Sequence, residues 1–145
     1  MLFKNLLVPY DGSKHSIRAF KIALDMAKKY DSKITLVTCI ERSGSRGRWF
    51  YDDRIDSQLI KKQVKSAMHQ MENLESLSKK SGVDVSNKVI ETHSVVQSLV
   101  TLAKTRKFDL ILIGSHGRTG FNKLLLGSVA NGVIQQVKCP VLLVK

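Results

Sequence analysis

Two rhythms of apolar residues alternate along the chain. Leu2–Pro9 (LFKNLLVP) is a short apolar run halted by Pro9 and the turn-forming Asp11-Gly12, so it predicts a buried strand. Behind it, Ser13 is placed to cap a helix in which Ile17, Phe20, Leu24 and Ala27 recur every three or four residues. Lys33–Ile40 (KITLVTCI) is rich in β-branched residues and too short for a helix, which predicts a second strand. After an aperiodic stretch, a long helix is expected from about Arg54 to Lys80, with Ile60, Val64, Ala67, Met71 and Leu74 on one face and Gly82 at its left-handed end. Val83–Glu91 predicts a third strand, and Ser94 caps a helix carrying Val96, Leu99, Val100 and Ala103. Phe108–Ile113 (FDLILI) reads as an apolar run, as in a strand covered on both faces. Gly127–Val137 predicts the last helix, and Pro140–Val144 the last strand.

Strands that alternate with helices predict an α/β domain with a mainly parallel sheet and helices on both faces. In such sheets ligands bind beyond the carboxyl ends of strands, where the strand order reverses. That directs attention to Val8–Ser13, Ile40 onwards and Gly114 onwards.

Length and composition narrow the class. The 145 residues fit one domain, with no internal repeat or linker. No apolar run approaches the ~20 residues of a membrane-spanning helix. The opening MLFKNLLVPYDGS lacks the basic, apolar and small-residue parts of a secretory leader. Two distant cysteines, Cys39 and Cys139, offer neither a disulfide framework nor a zinc site, which fits a reducing cytoplasm. The net charge of +12 is the unusual quantity, and it points to an anionic partner of unspecified kind. Residues 110–145 hold four cations and no acid, Arg42, Arg46 and Arg48 add three, and the remaining surplus is spread along the chain.

The most informative segment runs from Gly114 to Ser128 (GSHGRTGFNKLLLGS). Glycines let a backbone approach a ligand closely or adopt positive φ, and a helix N-terminus offers free N–H groups and partial positive charge to a phosphate. Arg118 and Lys123 make the loop electropositive, and the Ser128 hydroxyl is a further donor. There is no GxxxxGK[ST] and no GxGxxG after the first strand, so neither a P-loop nor a dinucleotide site is indicated. Glycine spacing alone also fits a tight loop and helix cap without a ligand.

The pattern G-x2-G-x9-G-[ST], together with the first-strand V-P-x-D-G-S and the terminal C-P-V-L-L-V, resembles the universal stress protein family over essentially the whole chain. The resemblance implies one universal stress protein domain over 1–145, with a Rossmann-like, adenine nucleotide alpha hydrolase-like sheet of five parallel strands in order 3-2-1-4-5. It implies an adenine nucleotide (ATP, or AMP or ADP, with Mg²⁺ accompanying it) across the carboxyl edge. By position, Pro9 and Asp11 match the first-strand pattern, with Asp11 near the adenosine. Ile40 matches the residue whose backbone meets the adenine. Gly114, Gly117, Gly127 and Ser128, followed by Val129, match the ribose and phosphate loop. Similar proteins pair through the last strand, here Pro140–Lys145. One departure is Thr92-His93-Ser94, where many relatives carry a glycine-containing turn.

Plainer roles stand beside these. Asp11 also suits an Asx-turn, and His116 and Arg118 are either phosphate donors or exposed loop residues. His15, His69 and His93 lack metal spacing and are expected at the surface. Cys39 and Cys139 read as strand-end residues, and Lys61, Lys62 and Lys65 as a solvated face. The Glu41–Asp53 loop, with Arg42, Arg46, Arg48, Trp49, Phe50 and Tyr51, suits a lid or protein contact more than single-stranded nucleic acid. The function expected is a nucleotide-dependent sensor or binding module in the stress response, read by a protein partner. A slow ATPase or phosphoryl-transfer enzyme is the alternative, weakened because Asp11 is the one plausible metal-facing carboxylate of the site. Nucleic-acid binding driven by charge alone ranks third.

Overall fold

The computed structural model describes residues 2–42, 53–116 and 126–145. Five strands and four helices alternate: β1 (Asn5–Pro9), α1 (Lys14–Tyr30), β2 (Lys33–Glu41), α2 (Asp53–Ser81), β3 (Asp84–Thr92), α3 (Val95–Thr105), β4 (Leu110–Gly114), α4 (Ser128–Gln136) and β5 (Val141–Val144). The strands form one parallel sheet in the order β3-β2-β1-β4-β5. The chain steps outward from β1 to β3, then returns to β4 on the other side of β1, which puts the switch point between β1 and β4.

Side chains alternate across a strand, so the apolar run of β1 fills two cores. Leu6 and Val8 join Ile34, Leu36, Leu110 and Leu112 beneath Phe20 and Ala23 of α1 and Met71 of α2. Leu7 faces the opposite way with Val37, Ile111 and Ile113, beneath Leu99 and Leu102 of α3 and Val133 of α4. The expected caps are present. Ser13 Oγ accepts the Ser16 N–H at 3.1 Å, Ser94 Oγ accepts that of Gln97 at 3.3 Å, and Gly82 closes α2 at φ 70°.

Strand starts differ from expectation for local reasons. Phe3 sits at φ 64° and Lys107 at φ 51°, so the chain cannot run extended through either. β1 therefore begins after Phe3, at Asn5 and not Leu2, while β4 begins at Leu110, not Phe108, two residues beyond the expected start that follows Lys107. β3 begins at Asp84, not Val83, and β5 at Val141, with the Pro140 carbonyl accepting the Ile111 N–H. α2 is one residue longer at each end, and α4 is one shorter at each end.

Asp109 fastens these starts together. Its Oδ2 accepts the backbone N–H groups of Lys4 at 2.9 Å and Asn5 at 2.7 Å, while its own N–H donates to the Asn5 carbonyl. Asp109→Ala should cost about 1–3 kcal/mol in denaturant unfolding, because two donors lose a charged acceptor. Asp109→Asn, which keeps one oxygen, should recover part of that. Equal stability of all three chains would contradict the role.

Candidate functional site

The carboxyl ends of β1, β2 and β4 converge at the switch point. β1 leaves the sheet under restraint: the Tyr10 N–H donates to the Val37 carbonyl at 2.7 Å, and Thr38 Oγ1 donates to the Tyr10 carbonyl at 3.0 Å. Asp11 follows, exposed, with Oδ1 accepting the Ser13 N–H at 2.9 Å and Gly12 at φ 82°. The Asx-turn is thus real, and it holds Asp11 at the rim beside half-buried Pro9.

Ile40 lies near the end of β2, where its side chain packs on Ile60 and Ala67 of α2. With the side chain occupied, the backbone is what Ile40 can offer a ligand. Across the next gap, Thr92 and Ser94 build the rim from hydroxyls. Thr92 Oγ1 accepts the Ser94 N–H at 3.0 Å and the Ser98 hydroxyl at 2.7 Å, an ordered substitute for a glycine-containing turn.

β4 ends in the tightest packing of the site. A Cβ on Gly114 would lie 2.8 Å from His15 Cβ and 3.1–3.2 Å from the backbone of His15 and Ser16. A Cβ on Gly127 would lie 2.9 Å from the Ser115 carbonyl oxygen. Gly127 has φ −59°, open to any residue, so close approach and not positive φ is what requires glycine there. The strip between is pinned on both sides: the Ser115 N–H donates to the Val144 carbonyl at 2.8 Å, and its carbonyl accepts the Gly127 N–H at 2.7 Å.

α4 then opens with Gly127 as its N-cap and no side-chain capping bond, unlike α1 and α3. The first N–H groups of such a helix suit an anion. Ser128 stands exposed at the first position, and Val129 is half-buried behind it. α4 carries no charged residue, so what it offers an anion comes from its backbone.

Two participants were not expected from the sequence. The sequence puts His15 at the surface, but the structure half-buries it, with its ring 5.7 Å from that of His116, edge to face at 75°. His15 lies in the first turn of α1, which begins at the same edge where β4 ends. Ser115 is 7% exposed, and its Oγ has no hydrogen-bond partner among the described residues. A buried hydroxyl without a partner is costly, and a bound polar ligand or water would relieve it. A signal for Ser115 existed in the strand alternation that follows Gly114, but its burial depends on β5.

Other chemistry is weakly supported. Burial pushes the Cys39 thiol up to about 11 and raises that of Cys139, so neither is a thiolate at neutral pH. His69 and His93 are exposed, as expected. Among the described residues no three His, Cys, Asp or Glu side chains group as metal ligands. The proposed contacts Gly117 and Arg118, Lys123, and residues 43–52 with Arg46, Arg48 and Trp49 lie outside the described residues.

Comparison with known proteins agrees with this fold. A family model described as the universal stress protein family matches residues 2–145. The chain is 32% identical over 149 residues to the universal stress protein MJ0531 of Methanocaldococcus jannaschii, across 99% of this chain and 83% of that one. The universal stress protein UspA from Lactobacillus plantarum superposes with a TM-score of 0.90 at 20% identity, covering 100% of this chain and 99% of that one. A universal stress protein from Archaeoglobus fulgidus, solved in complex with dAMP, superposes with a TM-score of 0.66 at 20% identity over all of both chains.

Proposed function

The chain belongs to the universal stress protein family, and from that premise we propose that it is an adenine-nucleotide-binding module whose occupancy is read by a protein partner in the stress response. The observation that carries this reading is the strip Ser115–His116, held between two glycines that each exclude a Cβ and ending at the uncapped N-terminus of α4. The adenosine would lie over Pro9, Asp11 and the backbone of Ile40, with the phosphates at Gly114, His116, Gly127, Ser128 and Val129 and the loop residues Gly117 and Arg118. The dAMP bound by the Archaeoglobus fulgidus relative supports adenine as the base. ATP is the nucleotide proposed, and Mg²⁺ would be held by its phosphates.

Binding is the activity proposed, not hydrolysis. Asp11 Oδ1 accepts the Ser13 N–H and Glu91 pairs with Arg42 at 3.2 Å, contacts that give both carboxylates structural roles. Occupancy would act by changing the surface around Gly114–His116 and the N-terminus of α4, a change that a partner can recognise. A homodimer through Pro140–Lys145 belongs to the same reading. β5 is an edge strand, and its Leu142 and Leu143 are 38% and 39% exposed, on opposite faces. The compartment proposed is the cytoplasm, in keeping with two free cysteines.

Thermal melting tests the reading. A ligand about a hundredfold above its Kd that binds only the native state stabilises by about 2.7 kcal/mol. At roughly 2–4 °C per kcal/mol, nucleotide-free protein should melt about 5–10 °C higher in saturating ATP. No shift in millimolar ATP would overturn it.

A further inference from the structure

The charge of this protein is divided unequally between the two faces of its sheet. α1 and α2 cover one face and together carry eleven Lys and Arg against five Asp and Glu. α3 and α4 cover the other face and carry one charged residue, Lys104. On α1, Lys14, Arg18, Lys21, Asp25 and Lys28 follow a spacing of four and three, which places them on one exposed stripe about 21 Å long. Lys61, Lys62, Lys65 and Lys80 are exposed on α2. Among the described residues none of these cations has an ion pair. Lys79 is paired, meeting Glu75 at 3.7 Å one turn away.

We propose that the α1–α2 layer is a docking surface for an anionic lipid bilayer. Two features favour a bilayer over nucleic acid. Nine of the eleven cations are Lys, compact charges suited to a phosphate-studded surface but poor at the bidentate reading of bases that Arg performs. Between them stand apolar side chains that a headgroup layer can take up and a sugar-phosphate backbone cannot: Ile22 at 37% exposure, Leu59 at 51%, Met68 at 53% and Leu77 at 42%. Tyr30 is the exposed aromatic of the layer, and Lys29 covers its ring, which leaves little to stack on unpaired bases. The site beyond β1 and β4 opens at the end of this layer, so a docked protein would keep that edge accessible.

The experiment is co-sedimentation of the full chain with vesicles of phosphatidylcholine alone or with about one third phosphatidylglycerol, at about 0.1 M salt. Binding is expected with the anionic vesicles only, and it should fall steeply with added salt. The triple variant Arg18→Gln, Lys21→Gln, Lys28→Gln should lose at least about tenfold in binding. Lys104→Gln, Arg106→Gln, Lys138→Gln removes equal charge from elsewhere and should retain most of it. Leu59→Ser with Met68→Ser should weaken vesicle binding and leave binding to duplex DNA unchanged. Circular dichroism confirms that each variant is folded. Equal losses in the two triple variants would show a net-charge effect and overturn the proposal. So would absence of vesicle binding, or tighter binding to duplex DNA than to anionic vesicles.

Discussion

Gly127→Ala is expected to weaken ATP binding by at least about tenfold, or about 1.4 kcal/mol, in a chain that still folds. The added methyl would stand 2.9 Å from the Ser115 carbonyl oxygen, closer than side-chain carbons approach. Ser115 cannot yield easily, because its N–H is bonded to β5 and its carbonyl to the Gly127 N–H itself. The N-terminus of α4 must therefore move outward, carrying the donors proposed for the phosphates with it. At φ −59° alanine brings no backbone strain, so the effect is steric and local. Gly127→Val should be worse, since its γ carbons enlarge the same clash. Calorimetric titration of both variants checks this, and native affinity in Gly127→Val would contradict the assigned geometry.

Gly114→Ala should act on stability first. Its methyl would meet His15 Cβ at 2.8 Å and the His15 and Ser16 backbone just beyond 3 Å, none of which is a flexible side-chain end. Relief requires the first turn of α1 to shift from the sheet, and overpacking of this kind costs about 1–3 kcal/mol. The melting temperature should fall by about 2–4 °C for each kcal/mol. Because His15 Cβ is the nearest atom, Gly114→Ala combined with His15→Gly should melt higher than the additive sum of the single changes. Strict additivity would show that the two positions do not press on each other.

How much of this the sequence reveals depends on whether a feature is local. The alternation of strands and helices follows from FDLILI and KITLVTCI lying between helical periods, the strand order 3-2-1-4-5 comes from the family resemblance, and Ser13, Ser94 and Gly82 act where their types imply. What escapes is contact between elements distant in the chain. His15 looks like a helix-surface histidine until β4 is seen to end against it. Ser115 looks like a loop serine until Val144 is seen to fasten it. Asp109 looks like a polar interruption of an apolar run, yet it accepts two N–H groups from residues about a hundred positions away. The charge surplus behaves likewise. Along the chain part of it looks dispersed, but folding gathers much of it onto the α1–α2 layer.

Calorimetric titration of ATP into native chain freed of copurified nucleotide should show saturable binding of one ATP per chain, competed by AMP and greatly weakened in Gly127→Ala. A native, folded chain that takes up no ATP at millimolar concentration would contradict nucleotide binding at this edge.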